Sequence, residues 1–79
     1  MPRITVRYFA VLREQKGMDR ETLEVDAGTT LEQLYHQLFQ PRGGQRLPVG
    51  YARNQAMARG GDVIADGDEV GFIPPLGGG

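Results

Sequence analysis

Apolar and polar residues alternate through Ile4-Thr5-Val6-Arg7-Tyr8-Phe9, the period of a strand with one buried face. Ile4, Val6 and Tyr8 share that face, while Thr5, Arg7 and Phe9 share the other. Ala10 to Glu14 predicts a short helical turn ending near Gly17. Glu21 to Val25 predicts a second strand with Leu23 and Val25 inward, paired antiparallel to the first. The period then changes. Leu31, Leu34, Tyr35, Leu38 and Phe39 recur at three- and four-residue intervals, a single apolar helical stripe. Two capping boxes compete for its start, Thr30 with Gln33 and Thr29 with Glu32. Pro41 and Gly43-Gly44 end it, and His36 falls off the stripe on the solvent side.

Residues 41–48 read as loop, Val49 to Arg53 as a third strand and Gln55 to Ala58 as a short fourth. Arg59-Gly60-Gly61-Asp62 and Asp66-Gly67-Asp68 carry turn chemistry. Val70-Gly71-Phe72-Ile73 is the last strand, stopped by Pro74 and Pro75, which have no N–H to continue a ladder. If Val70 and Phe72 face the helix, Ile73 faces away from it. One helix with one apolar stripe can cover one face of one mixed sheet of about five strands, which predicts a two-layer α+β domain over residues 1–75. Residues 76–79 are then a glycine tail.

Composition narrows the chemistry. The chain of 79 residues has nine Lys+Arg against ten Asp+Glu, a net charge of −1, so no overall field favours nucleic acid or an anionic membrane. No apolar run approaches the roughly 20 residues that span a bilayer, and the N-terminal stretch enters a strand pattern at once, so the expected compartment is the cytoplasm. There is no cysteine and no serine, and His36 is the single histidine. Thiol catalysis, a zinc thiolate site and a serine triad are therefore excluded, and no bound metal or cofactor is expected. The two Arg-Gly-Gly triplets read as turns rather than as RNA-binding repeats.

The sequence closes on Leu76-Gly77-Gly78-Gly79. Glycine has no side chain, so such a segment can enter a channel that other residues would block. Four extended residues reach about 13 Å. The distinctive chemical group of this tail is the α-carboxylate of Gly79. Either the glycines are an inert end, or that carboxylate is the working group.

The whole chain resembles the β-grasp, ubiquitin-like sulfur carriers, and within them the small subunits of molybdopterin synthase. The matching pieces are Tyr8-Phe9-Ala10-Val11-Leu12-Arg13-Glu14, Thr30-Leu31-Glu32-Gln33-Leu34, Asn54-Gln55, and Asp66-Gly67-Asp68-Glu69-Val70-Gly71-Phe72-Ile73-Pro74-Pro75 with the glycines after it. Gly77 stands where the family usually has Ser, Ala or Thr, and Arg53 where an apolar residue is common. The resemblance implies that Gly79, preceded by Gly78, is adenylated by an E1-like enzyme using ATP and magnesium. A sulfur donor then converts it to a thiocarboxylate. It implies a large catalytic subunit as partner, assembled as a heterotetramer, so that this chain is a carrier and not an enzyme by itself. It also makes the first and last strands parallel neighbours, bringing Phe9 and Ile73 together on the open face. Phe9, Ile73, Pro74, Pro75, Leu76 and Gly77 are then the expected partner contacts. A carrier for thiazole synthesis or another sulfur-transfer pathway, a protein modifier of the same fold, and an interaction module with an inert tail are the alternatives. Phe72-Ile73-Pro74-Pro75 favours the molybdopterin pathway.

Overall fold

Each predicted element forms, in the predicted order, in a computed structural model that describes residues 1–39 and 48–75. They are β1 (Arg3–Tyr8), α1 (Ala10–Lys16), β2 (Arg20–Glu24), α2 (Leu31–Leu38), β3 (Gly50–Arg53), β4 (Ala56–Ala58) and β5 (Glu69–Ile73). The expected helix end at Pro41 and Gly43-Gly44, the first Arg-Gly-Gly triplet and the tail from Leu76 lie outside the described residues.

Capping decides the helix boundaries. Thr30 Oγ1 accepts from the Gln33 amide at 3.1 Å, and Gln33 Oε1 accepts from the Thr30 amide at 3.0 Å, so both halves of the later box are made. Thr29 is spent elsewhere, its buried hydroxyl donating to the Asp26 carbonyl at 2.7 Å. The first helix ends at Gly17 as expected: at φ 73° this glycine closes it, its N–H donating to the Arg13 carbonyl at 2.9 Å. The fourth strand is shorter than expected. Asn54 and Gln55 have φ of 53° and 69° and form the two-residue turn between β3 and β4, which removes Gln55 from the ladder.

The sheet order is β2-β1-β5-β3-β4. Strand β1 runs antiparallel to β2 and parallel to β5, and β5 runs antiparallel to β3. The inward set of the central strands, Ile4, Val6, Tyr8, Val70 and Phe72, is almost wholly excluded from solvent. Leu31, Leu34, Tyr35 and Phe39 of the second helix and its cap close over it, with Tyr35 and Phe72 rings 5.3 Å apart. Among the described residues no helix covers the other face of the sheet. No helix among the described residues is long and apolar enough to cross a membrane.

Tyr8 brings a polar group into this core. Tyr8 packs edge-on against Phe39 at 5.7 Å, and its hydroxyl donates to Glu21 Oε2 at 2.5 Å. Burial first, then the hydrogen bond to Glu21 and its negative charge, push the phenol far above its ordinary value of about 10. The folded state therefore prefers the neutral phenol, whereas the unfolded chain ionises it. The stability this provides is fully present below pH about 10 and is lost progressively as pH rises above it. Spectrophotometric titration of the native domain should show Tyr8 silent until the domain unfolds in alkali. Ionisation of all three tyrosines near pH 10 with the fold intact would contradict this.

Candidate functional site

The chain leaves β1 through Phe9, whose φ of −125° and ψ of 148° continue the extended alternation, before Ala10 turns the backbone at φ 49°. Phe9 thus stays on the helix-free face. On β5, the register pairs Arg7 with Gly71 and Tyr8 with Phe72, so Phe9 and Ile73 are the next positions along two adjacent parallel strands. They are 37% and 40% exposed, as strand period requires. Gly71 lets the Phe9 ring lie against the sheet, because a Cβ there would sit 3.1 Å from Phe9 Cε2. Ala52 lies across from Gly71 on β3, and Met57, 73% exposed, lies across from Ala52 on β4. Phe9, Ile73, Ala52 and Met57 therefore form one apolar stretch on the open face, running to the end of β5. A shallow depression lined by Arg7, Phe9, Ala52, Gln55, Glu69 and Ile73 lies along it.

Of the other predicted contacts, Pro74 is buried within the domain and Pro75 is exposed just beyond the strand end. Leu76, Gly77, Gly78 and Gly79 lie outside the described residues. His36 is exposed and stands 3.9 Å from Glu32, a surface pair one helical turn apart. Among the described residues no cluster of His, Asp and Glu is placed to hold a metal ion.

The start of β5 is held by a small polar network. Asp68, buried, accepts from the Ala65 amide at 2.8 Å through Oδ2 and from Asn54 Nδ2 at 3.0 Å through Oδ1. Asn54 Oδ1 accepts from the Glu69 amide at 2.9 Å, and the Asn54 amide donates to the Glu69 carbonyl at 2.7 Å. The Thr5 amide donates to the Asp68 carbonyl at 3.0 Å, which binds the same corner to β1. Here Arg53 finds its explanation. Its Nη1 donates to the Val63 carbonyl at 2.9 Å, and its Nε stands 3.8 Å from Asp68 Oδ2. An apolar residue at that position would pack but would hold neither group. Strand period could not reveal this partner, since Arg53 and Val63 meet through a loop.

The ThiS family profile matches residues 6–79 of the chain. A protein of Mycobacterium tuberculosis named molybdopterin synthase sulfur carrier subunit is 41% identical over 83 aligned positions that cover 100% of both chains. A protein of Chlamydomonas reinhardtii with the same name is 37% identical, over 96% of this chain and 98% of its own. A solved structure from Pyrococcus furiosus, provisionally described as molybdopterin converting factor, subunit 1, superposes with a TM-score of 0.76 at 25% identity. The match covers 96% of this chain and 100% of that one. The architecture is the ubiquitin-like β-grasp, with the second helix as the main cover of the sheet.

The polar corner yields a direct check. Asp68→Ala leaves the Ala65 amide and the Asn54 side chain without their acceptor, which should lower unfolding free energy by about 2 kcal/mol in denaturant titration. A loss within the range of neutral surface changes, about 0.5 kcal/mol, would mean the corner is not held this way.

Proposed function

The chain belongs to the ThiS family, and from that premise we propose that it is the sulfur carrier subunit of molybdopterin synthase. The observation that carries this reading is the parallel pairing of β1 with β5, which sets Phe9 and Ile73 side by side where the chain passes into Pro74-Pro75-Leu76-Gly77-Gly78-Gly79. The names of the Mycobacterium tuberculosis and Chlamydomonas reinhardtii relatives, matched over essentially their full lengths, favour the molybdopterin pathway over thiazole synthesis.

The chemistry follows from the tail's single reactive group. A terminal carboxylate has a pKa of about 3.5, is anionic at neutral pH and is a poor electrophile. An E1-like adenylyltransferase with ATP and magnesium joins a carboxylate oxygen of Gly79 to the α-phosphorus and releases pyrophosphate. Sulfur from a donor then displaces AMP from the acyl carbon, leaving the thiocarboxylate. That tail enters the active site of a large catalytic subunit, within a cytoplasmic heterotetramer, and gives its sulfur to the pterin precursor. This chain supplies the carried group and the surface that positions it. Phe9 and Ile73 seat against the large subunit. Pro75, Leu76 and Gly77 are further contacts of the same partner in this reading, while Pro74 is packed in the domain.

Deletion of Gly79, or Gly78→Ala, should change unfolding free energy by less than about 0.5 kcal/mol. Either should abolish sulfur transfer to the pterin precursor in a system reconstituted from the activating enzyme, sulfur donor and large subunit. A folded deletion variant that still supports transfer would refute the proposal.

A further inference from the structure

The open face has a charged half beside its apolar half. Strand register places Arg7 of β1 directly opposite Arg20 of β2. Like charges facing each other across two strands repel. The Arg7 guanidinium carbon lies 5.5 Å from the centre of the Phe9 ring, and its Nε is shut off from solvent with no hydrogen-bond acceptor. Among the described residues the ion pairs are His36–Glu32 and Arg53–Asp68, so neither arginine is in a contact ion pair, although Glu69 lines the same depression as Arg7. Glu69, the nearest carboxylate of β5 by register, stands opposite Thr5 rather than Arg7. Glu24 stands opposite Arg3 at the far end of the pairing. An unsatisfied buried donor and a facing pair of cations both oppose folding, and an apolar side chain at position 7 would remove both.

We propose that Arg7 and Arg20 form a receptor for one carboxylate side chain of the protein that docks on Phe9 and Ile73, an inference that rests on the docking reading above. A carboxylate has two oxygens, enough to accept from a terminal guanidinium nitrogen of Arg7 and from Arg20 at once, with the enclosed Nε left as it is, and charge-assisted pairs of this kind are the strong ones. Next to it, the Phe9 ring takes an apolar side chain from the same partner. A phosphate polymer fits this face less well. Its repeating charge would meet Glu24 and Glu69 on the same surface, and the chain as a whole carries a charge of −1. A protein can present a single carboxylate flanked by apolar groups. The partner's specificity determinant is thus an Asp or Glu placed beside the apolar group that covers Phe9.

The test measures affinity of the purified large subunit of the same organism for wild type, Arg7→Met, Arg20→Met and the double variant across a range of salt concentration. Each single variant should bind about tenfold more weakly, as for loss of one partner of a desolvated charge pair. The double variant should show a flatter dependence on salt. Free Arg7→Met should unfold at the same temperature as wild type or above it, which a merely structural arginine would not allow. Wild-type affinity and salt dependence in the double variant, or a destabilised Arg7→Met domain, would overturn the inference. Phe9→Ala and Ile73→Ala in the same assay separate the two levels. If they lose about tenfold while the arginine variants lose nothing, only the carboxylate receptor is wrong. If they too bind as wild type, the docking face is wrong and the receptor falls with it.

Discussion

Strand β5 lies at the centre of the sheet, hydrogen-bonded in parallel to β1 and antiparallel to β3. Parallel neighbours cannot be joined by a tight turn, so everything between them must be accommodated as a crossover. That crossover holds the main helix, whose Leu31, Leu34 and Tyr35 meet Val6, Val70 and Phe72 in the core. The pairing closes the longest loop in the domain, an entropic demand that grows only slowly with length. It is met by burial of residues 0–2% exposed along both strands. The same pairing aligns the outward positions of the two strands. Core and open apolar face are two sides of one register, and a one-residue slip would exchange them.

The polar corner around Asp68 reinforces that register where it begins. Asp68 receives the Ala65 amide and the Asn54 side chain, Asn54 in turn holds both backbone groups of Glu69, and Thr5 ties the corner to β1. With its entry held by directional bonds and its body by packing, β5 ends at Ile73 facing outward beside Phe9. A carrier needs this. On the proposed role, a domain held in one form up to Pro75 sets where the carried group is presented.

Much of this was legible from residue pattern because local preference and tertiary need agree. Alternation in β1 correctly separates Ile4, Val6 and Tyr8 from Phe9, and the helical stripe locates α2, with the choice between the Thr29 and Thr30 boxes made only by the structure. What pattern cannot supply is which strands are neighbours. Phe9 and Ile73 become one surface only when β1 and β5 pair, and this came from resemblance rather than from period. Arg7 is the clearest loss. Its outward orientation follows from alternation, but its confrontation with Arg20 depends on the β1–β2 register, and its shielded Nε on the lie of the Phe9 ring. Arg53 was opaque for the same reason, since its acceptors lie in a loop that sequence does not place beside it. The chemistry of the tail stands apart: composition leaves an inert end and a working carboxylate both open, and the carrier reading came from the resemblance.

The central claim is that this carboxylate carries sulfur. It is tested most directly by mass spectrometry of the C-terminal peptide after incubation of the chain with the activating enzyme, ATP, magnesium and the sulfur donor. The account predicts a species heavier by the difference between one sulfur and one oxygen, with fragmentation placing the exchange on Gly79. A C-terminal peptide that remains entirely unexchanged while the same enzymes load an authentic carrier, or sulfur found only on internal residues, would contradict it.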